Sequence, residues 1–417
     1  MKIERKNYLN RLIDSRHNGM IKIVTGVRRC GKSYLLFHLF AEWLKESGID
    51  DGHIIAINLE NRRNKALRDP DALLEYIDGR MKDSDMYYIL LDEVQLVSEF
   101  EDVLNSYLCI DNADVYVTGS NARFLSKDVI TEFRGRGDEI SMLPLSFEEF
   151  FSAYDGDYQM ALDEYMTYGG LPQILSYNTE KQKSDYLKGL FRKTYLTDIV
   201  DRYGIRLEHE LGDVLNIVSS TVGSLVNPLK IANTFASVKG TAINSETVKK
   251  WLDYFCDSFL LARVDRYDVK GRKYVAASSK YYFSDLGLRN ARLNFRQDEK
   301  THLMENLIYN ELIYRGFNVD IGVVTTEILD AEDHRHKTQL EIDFVCNQCS
   351  RRYYVQSAYK IADDEKLRQE QLSLIKVNDS FKKVVIVGND QLVHHNDHGI
   401  TTISLRDFLL NVDALDM

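Results

Sequence analysis

Long apolar runs and cysteines are scarce in this chain of 417 residues. No run of eighteen apolar residues occurs, so we expect no transmembrane helix and no membrane partner. Residues 1–6 lack the apolar core of a secretion signal. Five cysteines, an odd number, fit a reducing compartment better than a disulfide-stabilised secreted fold. Together these absences predict a cytoplasmic protein.

Positive charge is also in short supply, because the formal net charge is −11 at pH 7. This balance excludes a surface that is basic throughout and coats nucleic acid, although it leaves room for a local basic patch.

Cys346 and Cys349 form a single C-x-x-C pair with no second ligand pair at zinc-site spacing, and we interpret them as turn residues. The length allows two to four globular domains.

The strongest pattern is residues 26–33, which read G-V-R-R-C-G-K-S and fit the phosphate-binding loop G-x-x-x-x-G-K-[ST]. A β-type segment precedes it and a helical segment follows it. Such a loop surrounds phosphates with backbone N–H groups and points a helix N-terminus at them. We expect Lys32 to neutralise the β- and γ-phosphates of ATP and Ser33 to offer its hydroxyl to Mg²⁺. The predicted ATP-binding set is Gly26, Val27, Arg28, Arg29, Cys30, Gly31, Lys32, Ser33 and Tyr34.

A second signal is the apolar run from Tyr87 to Leu91, which ends in Asp92 and Glu93. An unbroken apolar run is typical of a central parallel strand that is buried on both faces. Ligands of open α/β sheets bind at the carboxyl ends of such strands. We therefore expect Asp92 to hold Mg²⁺ and Glu93 to activate the attacking water. A solvent-exposed acidic strand end is the alternative, and it fits poorly some sixty residues after a phosphate loop.

Strand-like and helix-like segments alternate from about residue 20 to residue 146, which predicts a parallel sheet covered by helices on both faces. Asn121 ends the fourth predicted strand. At that position its side chain can contact the γ-phosphate or the attacking water, whereas turn formation is the alternative for an asparagine.

Four segments together resemble a bacterial and archaeal AAA+-type ATPase family: residues 26–33, 91–95, 118–121 and 143–150. In that family the ATPase domain precedes a C-terminal domain of unknown function. The segments Tyr168–Pro172 and Tyr195–Ile199 match further landmarks of the family, so the resemblance covers nearly the whole chain.

The resemblance also implies arginine fingers and a helical lid. Arg134 and Arg136 precede the fifth predicted strand, where AAA+ ATPases place arginines that stabilise the transition state, often from a neighbouring molecule. A homo-oligomer would follow from that role, and a solvated basic turn is the alternative. The helical residues 151–205, interrupted at Gly169-Gly170, would form the lid beside the nucleotide.

Residues 206–290 read as a winged helix, with a β-wing around the turn Lys270-Gly271-Arg272. The wing could contact the phosphates of double-stranded DNA, or the module could pack against a protein partner. The predicted recognition helix, residues 244–261, holds two lysines against three carboxylates, which is unusual for a base-reading helix. Six cations stand against two carboxylates in the wing region: Arg263, Arg266, Lys270, Arg272, Lys273 and Lys280.

Residues 291–417 resemble a PD-(D/E)xK nuclease in the order of their predicted elements. Asp343 fits the first metal-ligand position, but Gln356 replaces the acid and Ala358 replaces the lysine of the motif. A neutral amide is a poor substitute for a metal-binding carboxylate. We therefore expect a nuclease-like scaffold without nuclease activity, although Glu305, Glu341 and Lys360 could supply charge to a rearranged site.

The sequence thus predicts an α/β protein with a P-loop NTPase parallel sheet of AAA+ type. The predicted domains are the ATPase domain at 1–150, the helical lid at 151–205, the winged helix at 206–290 and the nuclease-like domain at 291–417. The expected function is Mg²⁺-dependent ATP hydrolysis that changes the conformation of the protein and so acts on a macromolecular partner. The alternatives are a nucleotide-gated DNA-binding regulator with slow hydrolysis and an ATP-controlled nuclease.

Overall fold

The computed structural model describes residues 2–119, 135–239, 243–296, 299–329, 335–361 and 364–417. The chain divides into two compact units. The first unit comprises Met1–Leu145 with Leu171–Gln173 and Asp257–Phe259. The second comprises Ser146–Gly170, Ile174–Cys256 and Leu260–Met417.

The first unit alternates strands with helices, as the sequence predicts. The helix that follows β1 is continuous but widens to a π-helix at Leu35–Phe40. The strands are β1 (Ile21–Gly26), β2 (Ile54–Asn58), β3 (Tyr87–Asp92), β4 (Ala113–Thr118) and β5 (Gly137–Met142). The α-helices are α1 (Lys6–Asp14), α2 (Lys32–Tyr34), α3 (Ala41–Glu46), α4 (Pro70–Asp78) and α5 (Phe100–Tyr107), and short 3-10 turns cover Asp51–His53, Arg62–Arg68 and Val94–Leu96.

The five strands form one sheet in the order β2-β3-β4-β1-β5, and every pair is parallel. The predicted α/β fold with a parallel sheet is confirmed. Strands β1 and β3 are buried along their whole length because their apolar side chains meet packed helices on both faces. Strand β4 lies between β3 and β1, and this order brings the carboxyl ends of the three strands together.

The second unit contains helices and a large mixed sheet. Its α-helices are α6 (Phe147–Ser152), α7 (Tyr158–Tyr168), α8 (Glu180–Leu190), α9 (Thr197–Tyr203), α10 (Glu208–Ser220), α11 (Pro228–Lys239), α12 (Ser245–Asp257), α13 (Leu286–Arg292), α14 (Lys300–Tyr314), α15 (Asp364–Ile375) and α16 (Leu405–Leu410). A π-helix covers Phe191–Leu196, and 3-10 turns cover Pro172–Ser176 and Ala414–Asp416. The strands are β6 (Leu225–Val226), β7 (Leu261–Asp268), β8 (Lys273–Phe283), β9 (Asn318–Leu329), β10 (Arg335–Gln348), β11 (Arg351–Ala358), β12 (Lys382–Val387), β13 (His394–His395) and β14 (Ile400–Ser404).

These nine strands follow the order β13-β14-β12-β11-β10-β9-β7-β8-β6. The hairpin β7–β8 lies in the range predicted as a winged helix, and β9 to β14 lie in the range predicted as nuclease-like. Parallel pairing of β7 with β9 joins the two ranges into one sheet. Strand neighbours are set by backbone pairing over long sequence separation, and the sequence pattern alone does not reveal this junction.

The Gly169-Gly170 break predicted between helices has a packing cause within the second unit. Gly170 N–H donates a hydrogen bond of 2.8 Å to Asp285 Oδ2. Gly169 has φ +76°, and a Cβ there would lie 2.3 Å from Asp285 Oδ1. Any larger residue at 169 would therefore clash with the carboxylate that caps α13.

No helix in the described ranges combines the length and apolar character needed to cross a bilayer.

Candidate nucleotide-binding site

The phosphate-loop sequence occupies the turn between β1 and α2, as its motif requires. Gly26 has φ +136°, and a Cβ at this position would lie 2.1 Å from the carbonyl oxygen of Met142. Gly31 has φ +106°. Both conformations favour glycine, because a side chain at such φ values is strained. The two motif glycines are therefore required by the backbone path of the loop.

Lys32 is buried, and its ammonium group points into the loop. Nζ donates hydrogen bonds of 2.9 Å to the Gly26 carbonyl and 3.1 Å to the Val27 carbonyl. Both partners are neutral, so the positive charge has no carboxylate among them. A buried cation held by neutral carbonyls is well suited to an anionic ligand, since negatively charged phosphate oxygens would bind it more strongly than the neutral carbonyls do.

A buried carboxylate, Asp92 at the end of β3, contacts one residue of α2 and the last residue of β4. The Ser33 hydroxyl donates to Asp92 Oδ1 at 2.9 Å, and the Thr118 hydroxyl donates to the same oxygen at 2.6 Å. Leu91 pairs with Val117, so Asp92 and Thr118 follow at the same level of the sheet. Ser33 and Asp92, the two residues predicted to hold Mg²⁺, are thus brought into direct contact.

The pKa of Asp92 is raised from its ordinary value, and burial is the main cause. Hydrogen bonds from Thr118 and Ser33 act in the opposite direction because they stabilise the carboxylate, while the charge of Glu93 adds a smaller increase. A divalent cation would favour the ionised form further. Oxygen donors of this kind are the ligands that Mg²⁺ prefers, so the residues present fit the ion.

Glu93, the predicted base, directly follows β3 in a left-handed conformation with φ +55°. Its N–H donates to the Thr118 hydroxyl at 3.0 Å, and its carboxylate accepts a hydrogen bond from the Gln95 side chain. The side chain is half-buried. Local backbone strain of this type is concentrated at functional sites, where the surrounding contacts maintain it.

The remaining predicted loop residues differ in exposure. Val27 and Cys30 are buried, Arg28 and Tyr34 are half-buried, and Arg29 is exposed. Arg29 adopts a left-handed φ of +66°. The loop thus has an exposed side at Arg29 and a buried side at Lys32.

Of the other predicted catalytic residues, Asn121 and Arg134 lie outside the described residues. Arg136 is exposed and precedes β5, and its carbonyl accepts a hydrogen bond of 2.9 Å from Ile21 N–H. Ile21 begins β1, whereas the phosphate loop follows the last residue of that strand. Arg136 therefore lies about 17 Å, one strand length, from the loop of its own chain.

Thr118 is the site residue that sequence reasoning missed. Its buried hydroxyl contacts the Asp92 carboxylate and the Glu93 N–H, so it fixes both acidic residues at once. The available signal was a hydroxyl residue at the carboxyl end of the next strand. That signal becomes specific only when β4 is known to lie beside β3.

A family model described as an AAA domain matches residues 18–151. A second model, a domain of unknown function, matches residues 159–299. An uncharacterized protein of Haemophilus influenzae is 33% identical over 414 residues, which cover 98% of each chain. The chain belongs to the same family as this Haemophilus influenzae protein. An uncharacterized protein of Methanocaldococcus jannaschii is 27% identical, covering 89% of this chain and 86% of its own.

Two solved structures are similar to parts of this family member. The Aeropyrum pernix ORC1 protein in complex with DNA has a TM-score of 0.31 at 12% identity, covering 70% of this chain and 92% of its own. The AMPPCP-bound DnaA protein of Aquifex aeolicus has a TM-score of 0.29 at 13% identity, covering 59% and 84%. The AAA domain and its P-loop geometry make this family member a nucleotide-binding protein of AAA type.

The second unit has a buried cluster of charged side chains, centred on Lys280. Its Nζ lies 2.9 Å from Glu305 Oε1, 2.8 Å from Glu341 Oε1 and 4.0 Å from Asp343 Oδ1. The Tyr282 hydroxyl donates to the same Glu305 oxygen at 2.6 Å. The side chain of Lys280 is 4% exposed. These carboxylates belong to the predicted nuclease-like region, and their shared cation is a lysine from β8.

The environment of this Lys280 cluster stabilises the ammonium. Burial lowers the pKa of Lys280, but the charges of Glu305, Asp343 and Glu341 outweigh it and raise the pKa overall. Asp343 lies at an irregularity of β10, where the register with β9 shifts between Ile342 and Val345. Its Oδ2 accepts a hydrogen bond of 2.8 Å from Ser357 N–H.

Lys280 is one of the six cations in the wing region of the sequence, but the structure buries its side chain. It lies in the cluster, where it contacts Glu305 of α14 and Glu341 of β10. Arg263 pairs with Asp265 at 2.9 Å, and Arg266 donates to the side chain of Gln339 at 3.1 Å. Fewer positive charges are thus available on the wing than the sequence count suggested.

Proposed function

We propose that this protein is a Mg²⁺-dependent ATPase that uses its nucleotide state to change conformation and act on a macromolecular partner. The contact of Ser33 with Asp92, beside the buried Lys32, carries this proposal. The residues that would bind phosphate and Mg²⁺ come together there from two separate segments of the chain, Lys32 with Ser33, and Asp92. The AAA domain at residues 18–151 supports the same activity.

Each residue has a role that follows from its chemistry. Lys32 would exchange its carbonyl partners for phosphate oxygens and hold the β- and γ-phosphates. Ser33 and Asp92 would hold Mg²⁺, which supplies positive charge against the phosphates when bound. Thr118 keeps Asp92 oriented, and Glu93 would accept the proton of the attacking water.

An arginine finger would act between molecules in this proposal. The placement of Arg136 before β5, about one strand length from the phosphate loop, supports a role on a neighbouring chain rather than on its own nucleotide. Such a role requires a homo-oligomer, and an arginine supplied from a second molecule stabilises the negative charge of the transition state.

A nucleotide-gated DNA-binding regulator is the second candidate. The order α10, β6, α11, α12 and the hairpin β7–β8 follows that of a winged helix, and this order supports contact with double-stranded DNA. The two lysines of α12 are exposed, Lys249 and Lys250. A protein partner remains the alternative for the same surface.

The nuclease-like region would serve as a scaffold and cleave no nucleic acid. The Lys280 cluster supports this proposal, because an ammonium group already occupies the position between the carboxylates that a catalytic metal would need. Metal-assisted hydrolysis needs open carboxylate ligands and an activated water.

ATP turnover measured with and without duplex DNA tests these candidates together. Turnover that is unaffected by DNA supports an ATPase acting on another partner. Very slow turnover with ATP-dependent DNA affinity supports the regulator. Molar mass in solution, measured with ATP and without it, tests the oligomer.

A further inference from the structure

Four cations and one carboxylate line a cavity of about 680 Å³ in the second unit. The cavity is bounded by the β7–β8 turn, the β10–β11 turn and the segment that precedes β12. Sites for small ligands commonly have volumes of about 300–1,000 Å³. The lining of this cavity therefore carries a net charge of +3, whereas the chain as a whole carries −11. The charged lining residues are Lys270, Arg272, Arg351, Arg352 and Asp379.

Three of these cations have no carboxylate partner among the described residues. Lys270 Nζ donates to the Thr325 carbonyl at 3.1 Å, and Arg352 Nε donates to Asn347 Oδ1 at 2.7 Å. Arg272 makes no hydrogen bond or ion pair with a residue in the described ranges. Lys270 and Arg352 are therefore oriented by neutral oxygens, and no carboxylate among the described residues neutralises any of the three charges.

The remaining charges do not compensate for them. Arg351 lies 3.5 Å from Asp416, but both side chains are about half exposed, so the pair contributes little. Asp379 accepts hydrogen bonds from the Tyr354 hydroxyl at 2.6 Å and from Phe381 N–H at 3.2 Å. Its carboxylate is thus engaged by neutral donors, and the cavity retains an excess of positive charge.

Aromatic rings are interleaved with these cations. The guanidinium carbon of Arg352 lies 5.6 Å from the ring centre of Tyr267 and 5.3 Å from that of Phe381. Phe381 is 40% exposed, and Tyr274, whose ring lies 5.6 Å from Tyr267, is 65% exposed. Exposed rings beside a positively charged groove are the combination that binds unpaired bases and their phosphates.

We propose that this cationic cavity binds single-stranded nucleic acid. Lys270, Arg272 and Arg351 contact the phosphates, and a base stacks on an exposed ring of Phe381 or Tyr274. A duplex fits less well, because its bases are stacked on one another and their faces are hidden. None of the residues that line it belongs to the nucleotide-binding loop or to α12, the predicted recognition helix, and its occupation would not require ATP hydrolysis.

The test is fluorescence anisotropy of a labelled single strand of about 12 nucleotides, with the full chain carrying Lys32→Ala so that ATP turnover does not interfere. The charge-removing variant is Lys270→Gln/Arg272→Gln, at two exposed turn positions. The matched control is Lys249→Gln/Lys250→Gln, which removes the same charge from exposed positions of α12. Thermal unfolding checks that all variants are folded.

We expect binding at about 50 mM salt that weakens on raising the salt, and at least a tenfold loss in the Lys270/Arg272 variant. The salt slope of that variant should fall by about 1.4, because single strands give about 0.7 for each lost phosphate contact. The Lys249/Lys250 variant should bind as the parent does, and a duplex of the same sequence should bind more weakly.

Three results would overturn the proposal: no binding of the single strand at low salt, an equal loss in both double variants, or a loss only in the Lys249/Lys250 variant. Equal competition by polyglutamate at matched charge would show a general polyanion surface and would equally contradict a nucleic-acid site. None of these results bears on ATP turnover, so the ATPase proposal stands or falls separately.

Discussion

The Ser33 hydroxyl donates a 2.9 Å hydrogen bond to Asp92, a residue that follows 59 positions later in the chain. The two residues predicted to hold Mg²⁺ therefore already touch. This contact depends on the strand order, since β4 separates β1 from β3 and its last residue, Thr118, contacts the same carboxylate. Such positioning lowers the reorganisation needed when nucleotide and metal bind.

Lys32→Ala should weaken ATP binding at least tenfold, because the phosphates lose their main charged partner. Isothermal titration calorimetry measures the affinity directly. Lys45→Ala is the matched control, since Lys45 is an exposed lysine of the following helix that pairs with Asp51 at 2.7 Å. Equal ATP affinities for the Lys32 variant and the wild type would contradict the phosphate assignment.

Glu93→Gln should retain ATP affinity but turn over at least about a hundredfold more slowly, since the amide cannot accept the proton of the attacking water. Calorimetry and a phosphate-release assay separate the two effects. The Gln95→Ala variant removes the side chain that donates to Glu93 and should have a smaller effect on turnover. A Glu93→Gln protein with near wild-type turnover would exclude Glu93 as the base.

Thr118→Val should raise the Mg²⁺ concentration needed for half-maximal turnover, because Asp92 and the Glu93 N–H lose a shared hydroxyl. The buried polar groups left without it should also lower the free energy of unfolding by about 1–3 kcal/mol. Tyr116→Phe is the control on the same strand, since its buried hydroxyl donates to Asp114 at 2.9 Å instead. A Mg²⁺ requirement that shifts equally in both variants would remove the specific role of Thr118.

Arg136→Ala should lose turnover but keep ATP binding if the residue acts on a neighbouring chain. Mixing this variant with Glu93→Gln should restore part of the activity, because some interfaces then combine an intact arginine with an intact base. Arg11→Ala is a suitable control, since its guanidinium donates only a weak 3.3 Å bond to the Glu139 carbonyl near the same edge. Light scattering that shows a monomer with ATP would leave Arg136 without this role.

Lys280→Ala should create a site for Mn²⁺ in the Lys280 cluster, because three carboxylates would lose their shared cation. Wild-type protein should neither bind Mn²⁺ there nor cleave DNA or RNA with Mg²⁺ or Mn²⁺. Lys280→Met keeps the volume of the side chain, and it provides a second variant if the alanine protein unfolds. Metal-dependent cleavage by the wild type that is lost in Asp343→Ala would show an active nuclease.

The local motifs of the first unit could be predicted because their meaning depends on neighbouring residues. The glycines at 26 and 31, Lys32 and the acidic end of β3 all carry their signal within a few positions. The role of Thr118 could not be predicted, since it arises from the pairing of Leu91 with Val117 across two strands.

Contacts between residues that are distant in the sequence were even harder to predict in the second unit. Lys280 was grouped with the cations of the wing because it follows the basic turn at residues 270–273 in the sequence. Its side chain is instead surrounded by carboxylates on β10 and α14, which are distant in the sequence. The cationic cavity likewise combines turns that are about eighty residues apart. The charge pattern of the sequence indicated Lys270 and Arg272 but not their proximity to Arg351 and Arg352.

Release of the γ-phosphate from ATP, followed with Mg²⁺ and with EDTA at several protein concentrations, tests the central claim most directly. The account predicts release beyond one equivalent per chain with Mg²⁺, none with EDTA, and none from the Lys32→Ala protein under either condition. Absence of release from folded wild-type protein, with and without DNA, would contradict the assignment of this site to ATP hydrolysis. Release that persists undiminished in Lys32→Ala would contradict it equally.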